Sequence, residues 1–178
     1  IGQEGTAWVV PRGILPHLET FLTDCKIAFT LQDKTRILPE VTFDFNGSLY
    51  LFQKAAEEDI LLTPRNNLEA PTAGGKTVTG LAIVAKRRQP TLIVCHTREL
   101  QDQWIQRIET FLGIPADKVG VIGNGKMRIG EKITVAMVQT LYKCAPEVAP
   151  NIGFIVVDEA HRVPSRTFTE ALIAFDCR

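Results

Sequence analysis

Two short segments of this chain carry the residue types that phosphate chemistry needs. The first, Ala70-Pro71-Thr72-Ala73-Gly74-Gly75-Lys76-Thr77, follows a short apolar stretch and opens a helical pattern. Backbone N–H groups of a small-residue loop, the Lys76 ammonium and a helix N-terminus then converge on phosphate oxygens, and Thr77 is placed to ligate magnesium. The second, Phe154-Ile155-Val156-Val157-Asp158-Glu159-Ala160-His161, is an apolar strand that delivers two carboxylates. One acid suits the shell of the magnesium ion and the other suits an attacking water. In this order the pair predicts a nucleoside triphosphate site with Mg2+.

The first segment departs from the G-x-x-x-x-G-K-[ST] spacing, because Ala70 stands where the first glycine would be and Ala73 precedes Gly74-Gly75. Alanine at 70 still permits close packing, but Ala73 resists a positive φ, so the loop is expected to differ slightly in geometry. The competing reading is an ordinary glycine turn between a strand and a helix. Gly-Lys-Thr opening a helix, with the acidic strand downstream, weighs against it.

Such residues need a sheet edge and helix ends to hold them, and alternating strand and helix signals run from residue 49 onward. Residues 49–62 read as helix and 67–70 as a short strand. Residues 76–86 read as a helix with Val78, Leu81, Ala82 and Ala85 on one side. Residues 91–95 form a buried strand, and 98–112 repeat apolar residues at helical spacing until Gly113 stops them. Strands are expected at 119–122, 133–138 and 153–157, and a helix at 165–175 after Pro164. This alternation predicts an α/β fold, a parallel sheet with helices on both faces. Residues 1–46 differ: Pro11-Arg12-Gly13 precedes an apolar-periodic run from Ile14 to Leu22, and alternating Val41-Thr42-Phe43-Asp44-Phe45 ends at Asn46-Gly47. They are read as a small α+β module, with the Asn-Gly turn as its boundary and residues 47–178 as the nucleotide domain.

Composition narrows the partners. With 45% apolar and 22% charged residues among 178, the chain can bury one sizeable core and a small appendage. Twenty basic residues balance twenty acidic ones, so any nucleic-acid contact has to be local. Cys25, Cys95, Cys144 and Cys177 are widely spaced and make no C-x-x-C pair, which argues against zinc or a disulfide framework. No stretch reaches the roughly 18 apolar residues of a membrane span. A cytoplasmic location and no membrane partner are expected.

The motif set resembles the superfamily 2 helicases and translocases of the DEAH type, and within them the XPB-like branch. The resemblance rests on residues 70–77, on Thr91-Leu92-Ile93-Val94-Cys95-His96-Thr97-Arg98-Glu99-Leu100 followed by Gln103-Trp104, and on Gly123-Asn124-Gly125-Lys126. It extends through residues 133–141 and 158–164, with a weaker match in the opening module. It implies a RecA-like lobe that hydrolyses ATP to move on nucleic acid, DNA before RNA. Thr72, Ala73, Gly74, Gly75, Lys76 and Thr77 would bind ATP, with Lys76 on the β- and γ-phosphates and Thr77 and Asp158 at magnesium. Glu159 would activate the water and His161 would couple the site to a neighbouring lobe or nucleic acid. Gln53 matches the glutamine placed against adenine; the plainer reading is a solvated helix residue.

Thr97 and Arg98 lie just past a strand end, where a hydroxyl, a guanidinium and a helix N-terminus suit backbone phosphates, although an ordinary helix cap has the same sequence. Gln139 and Thr140 are expected to extend that track. Lys126 and Arg128 read as flexible basic contacts or a solvated turn. Only 20 residues follow Asp158, so a second RecA-like lobe and its arginines are expected as a partner supplied from elsewhere. Two alternatives stand beside the motor: the ATPase part of a restriction or phage recombination enzyme, and a non-hydrolysing nucleotide- or nucleic-acid-binding module.

Overall fold

Apolar runs separated by helical patterns pair, in the computed structural model, as a mostly parallel sheet. The structure describes residues 2–4, 7–10, 14–33, 35–62, 66–71, 74–159 and 166–177, in two compact units, Ile1–Lys34 and Thr35–Arg178. In the larger unit β3 (Thr91–Cys95), β4 (Gly120–Gly123), β6 (Ile133–Met137) and β7 (Phe154–Val157) are joined by β5 (Lys126–Arg128) in the order β5-β4-β6-β3-β7. All neighbours are parallel except the β4–β5 hairpin.

Alternation along β3 sorts the core into two layers. Ile93 and Cys95 pack with Leu81 and Val84 of α3 (Lys76–Arg87) and with Trp104 and Ile108 of α4 (Arg98–Leu112). Leu92 and Val94 point the other way, against Leu141 and Val148 of α5 (Val138–Val148) and Phe168 and Ala171 of α6 (Arg166–Leu172). A strand buried on both faces is apolar nearly throughout, as β3 is after Thr91, whose hydroxyl donates to the Gln89 carbonyl at 2.8 Å. The α/β reading with helices on both faces therefore holds. Gly113 ends α4 in the left-handed region, φ 62°, as its position after the last apolar residue implies.

Four local expectations change. Residues 67–70 form no strand: the Asn66 amide turns back to the Asp59 and Ile60 carbonyls at 3.4 and 3.2 Å, at the end of α2 (Leu51–Leu62). Among the described residues, β7 is consequently a sheet edge. The strand expected over 133–138 stops at Met137, and Val138 begins α5, a helix masked in the sequence by Pro146 in its later turns. Of the two readings of residues 123–128 the turn holds and the flexible contacts do not: they form a tight hairpin whose Asn124 and Gly125 both have positive φ, 51° and 74°. Arg128 is spent there, donating to the Asp117 and Val119 carbonyls, while Lys126 stays exposed.

The fourth change concerns the boundary, which falls between Lys34 and Thr35 rather than at Asn46-Gly47. Residues 35–46 run without regular structure along the larger unit. Arg36 pairs with Asp176 at 2.6 Å, and the buried Gln89 amide clamps Leu38 through its N–H and carbonyl at 2.8 and 3.0 Å. Lys132 Nζ donates to the Thr42 carbonyl at 2.8 Å and Asn46 N to Phe111 O at 2.7 Å. The alternation at 41–45 does sort faces: Phe43 and Phe45 pack on the core, and Thr42 and Asp44 are exposed. Its hydrogen bonds go to helix ends and side chains instead of a ladder. The smaller unit holds a hairpin of β1 (Gly2–Glu4) and β2 (Ala7–Val9), followed by α1 (Leu15–Asp24), the helix its apolar period implies.

Candidate nucleotide site and nucleic-acid edge

The phosphate loop is organised around the start of α3. Gly75 is its N-cap at φ 76°, no side chain caps the helix, and its first turn holds no acid. Its opening N–H groups are thus available to an anion. Lys76 Nζ reaches back to the Ala70 carbonyl at 3.0 Å, and Gly74 N donates to Pro71 O at 2.9 Å. Thr77, next along, is half-buried. Thr72 and Ala73 lie outside the described residues.

Gly75 is a close approach as well as a left-handed residue, because a Cβ there would meet Gln53 Nε2 at 2.2 Å. Gly75→Ala is expected to destabilise the larger unit by about 1–2 kcal/mol from the backbone conformation alone, and further by displacing Gln53. Urea denaturation checks this: measured against Gln53→Ala alone, adding Gly75→Ala should cost only the backbone part, and an unchanged midpoint in Gly75→Ala would refute the loop geometry.

Gln53 is buried beneath this loop, not solvated. Its Nε2 donates to Gly74 O at 3.1 Å and its Oε1 accepts from Tyr50 N at 2.9 Å. A carboxamide has two donors and two lone pairs, so half its capacity is left. Beside it opens a cleft of about 410 Å³ lined by Gly74, Gly75, Val78, Phe111, Tyr50 and Phe52. The Tyr50 and Phe52 rings are exposed and stacked, 5.8 Å apart and 6° from parallel. This aromatic pair was not singled out from sequence; two aromatics flanking an apolar residue ahead of Gln53 were the signal.

The acids follow β7. Asp158 N donates to Val94 O at 2.9 Å, extending the β3–β7 pairing by one residue. Its Oδ1 accepts from Glu159 N at 3.0 Å and its Oδ2 from Trp104 Nε1 at 2.8 Å. Glu159 takes φ 57°, a costly conformation for a residue with a side chain and one that clusters at functional sites. The Cys95 thiol is pushed up to about 12 by burial and then by the Asp158 carboxylate, so it is a protonated core residue. His161 lies outside the described residues.

The nucleic-acid candidates gather at the same sheet edge. Cys95 and Met137 are partners in the parallel β3–β6 register, so the turns after them are neighbours, and Gln139 Nε2 donates to His96 O at 3.0 Å. Thr97 is the N-cap of α4, its hydroxyl accepting from Leu100 N at 3.2 Å. The Glu99 carboxyl is held below its ordinary range by a backbone N–H and then by the Thr97 hydroxyl. Thr97 therefore acts as a helix cap, whereas Arg98 and Gln139 are exposed and Thr140 is half-buried.

The donor set fits magnesium that arrives with phosphates. Among the described residues no cluster of three His, Cys, Asp or Glu could hold a metal alone. Magnesium typically takes one or two protein oxygens plus phosphate and water. Asp158 offers a carboxylate with no ammonium or guanidinium paired to it among the described residues, and Thr77 offers a hydroxyl in the first turn of α3.

Comparison with known proteins agrees with this architecture. The family model described as "Type III restriction enzyme, res subunit" matches residues 48–177. A probable helicase of Escherichia phage T5 is 34% identical over 98 residues, 55% of this chain and 21% of that protein. The DNA 3'-5' translocase XPB2 of Sulfurisphaera tokodaii is 32% identical over 118 residues, 66% of this chain and 26% of that protein. A putative ATP-dependent RNA helicase of African swine fever virus is 32% identical over 141 residues, 73% of this chain and 27% of that protein. The chain thus spans about a quarter of the length of these relatives. The crystal structure of a hypothetical ATP-dependent RNA helicase from Sulfolobus tokodaii superposes with a TM-score of 0.56 at 20% identity, over 74% of this chain and 45% of that one. Its likeness supports the RecA-like fold. No helix among the described residues is long and apolar enough to cross a membrane. The chain belongs to the type III restriction enzyme res subunit family, among the superfamily 2 helicases.

Proposed function

We propose that residues 35–178 are the first motor lobe of an ATP-dependent DNA helicase or translocase, with residues 1–34 as an accessory module and a second RecA-like lobe completing the site. The observation that carries this reading is the sharing of one sheet edge: Asp158 and Glu159 after β7, Thr97 and Arg98 after β3, and Gln139 and Thr140 after β6. In an α/β sheet ligands bind at the carboxyl ends of the strands.

Lys76, Gly74, Gly75, Thr72, Ala73 and the first turn of α3 would hold the triphosphate, and the stacked Tyr50 and Phe52 would receive the base, with the spare Gln53 valences reading its edge. Thr77 and Asp158 would hold magnesium, which neutralises the charge developing on the phosphates. Glu159 would take the proton from the attacking water, and His161 would relay the site's state to the other lobe. The second lobe would supply the arginine that stabilises the transition state. Four free thiols support a reducing, cytoplasmic location.

Arg98, Gln139 and Thr140 would track backbone phosphates, so binding should depend steeply on salt and little on base sequence. Arg98→Ala is expected to weaken all sequences alike and to flatten the logarithmic salt slope by about one. Titrations of labelled single-stranded DNA, duplex DNA and RNA at two salt concentrations test this. Tight, salt-insensitive, base-selective binding would contradict backbone tracking. The family match supports one further reading, the ATPase part of a restriction enzyme; an associated nuclease activity would select it.

A further inference from the structure

We infer that Trp104 is a positioning residue for the Asp158 carboxylate, fixing through its indole N–H the oxygen pair offered to magnesium. The inference rests on the reading of Asp158 as the magnesium acid. An indole has one polar atom, a donor, and that of Trp104 points at Asp158 Oδ2 at 2.8 Å from a ring that is 5% exposed. Glu159 N holds the other oxygen at 3.0 Å. With both oxygens engaged, rotation of the carboxylate about its Cβ–Cγ bond would break one of two bonds. Each oxygen still has a second lone pair, so the group is oriented without being used up. Both donors are neutral and no cation pairs with Asp158 among the described residues, so its negative charge is left for a metal.

The location of Trp104 makes the bond stiff. The residue is on α4 in the layer that includes Leu81, Val84 and Ile108, and the ring rests against Gly80 of α3, where a Cβ would lie 3.6 Å from its edge. One side chain thereby touches the helix that begins with Lys76 and Thr77 and bonds the acid beyond β7. Outer-shell partners that orient a metal-binding carboxylate typically contribute about 10- to 100-fold in metal affinity.

The test is the magnesium dependence of binding of a fluorescent ATP analogue to the full chain. Trp104→Phe keeps an aromatic ring without the donor, and 3-benzothienylalanine at position 104 keeps the shape of the indole with sulfur in place of N–H. Both should raise the magnesium concentration for half-maximal binding by about 10-fold and leave binding in EDTA unchanged. In an Asp158→Asn background neither should add anything. If Asp158→Asn itself leaves the magnesium requirement at the wild-type value, the magnesium reading of Asp158 fails. If Asp158→Asn shifts it and the benzothienyl variant does not, Trp104 has only a packing role and the inference is overturned.

Discussion

Glu159→Gln is expected to abolish most ATP turnover while leaving nucleotide binding intact. A positioned general base contributes roughly 10²- to 10⁴-fold, and glutamine retains the size and hydrogen bonding of the side chain without its basicity. The substitution leaves the backbone in the same left-handed conformation, φ 57°. The bond from Glu159 N to Asp158 Oδ1 is made by the backbone and survives. Steady-state turnover with saturating nucleic acid, measured with the second lobe present, gives the result. A rate within a few-fold of wild type would show that another group activates the water.

Lys76→Ala should have its largest effect one step earlier, on binding. The ammonium is exposed and among the described residues it donates to the Ala70 carbonyl across the loop, so its removal should change stability by about 1 kcal/mol or less. Against a triphosphate the same group makes charge-assisted bonds of about 1.5–3 kcal/mol, which corresponds to a loss of roughly 10- to 100-fold in affinity. Calorimetry with ATP and magnesium measures it. Unchanged affinity would place the nucleotide away from the α3 N-terminus, and the cleft beside Tyr50 and Phe52 would then need another ligand.

Much of this was legible in residue types and spacing. The runs at 91–95, 133–137 and 154–157 are apolar but for Thr91 and Thr134, and a strand of that kind is stable only between two layers of helices. Gly-Lys-Thr ahead of a helical period and Asp-Glu after an apolar strand marked the start of α3 and the end of β7, because a helix start and a strand end are local features of the chain. The stop of α4 at Gly113 was local too. What a single segment dictates about itself through period, cap and turn chemistry, the sequence determined.

Only the tertiary structure decided which groups met across the chain. Nothing near Trp104 in sequence says that its indole finds a carboxylate 54 residues away; the parallel pairing of β3 with β7 brings them together. The same holds for Gln53, which by its helix position could be solvated or buried, and becomes a support of the loop because α2 lies against Gly74 and Gly75. Residues 35–46 look detachable by pattern, yet their backbone is satisfied by Gln89, Lys132 and the ends of α3 and α4, groups distant in the chain. Residues 67–70 satisfy a short-strand pattern but join no ladder, since the Asn66 amide binds the end of α2. In all but the last of these cases the deciding energy is a hydrogen bond or a packed surface between segments remote in sequence. Such contacts have no signature in either segment alone.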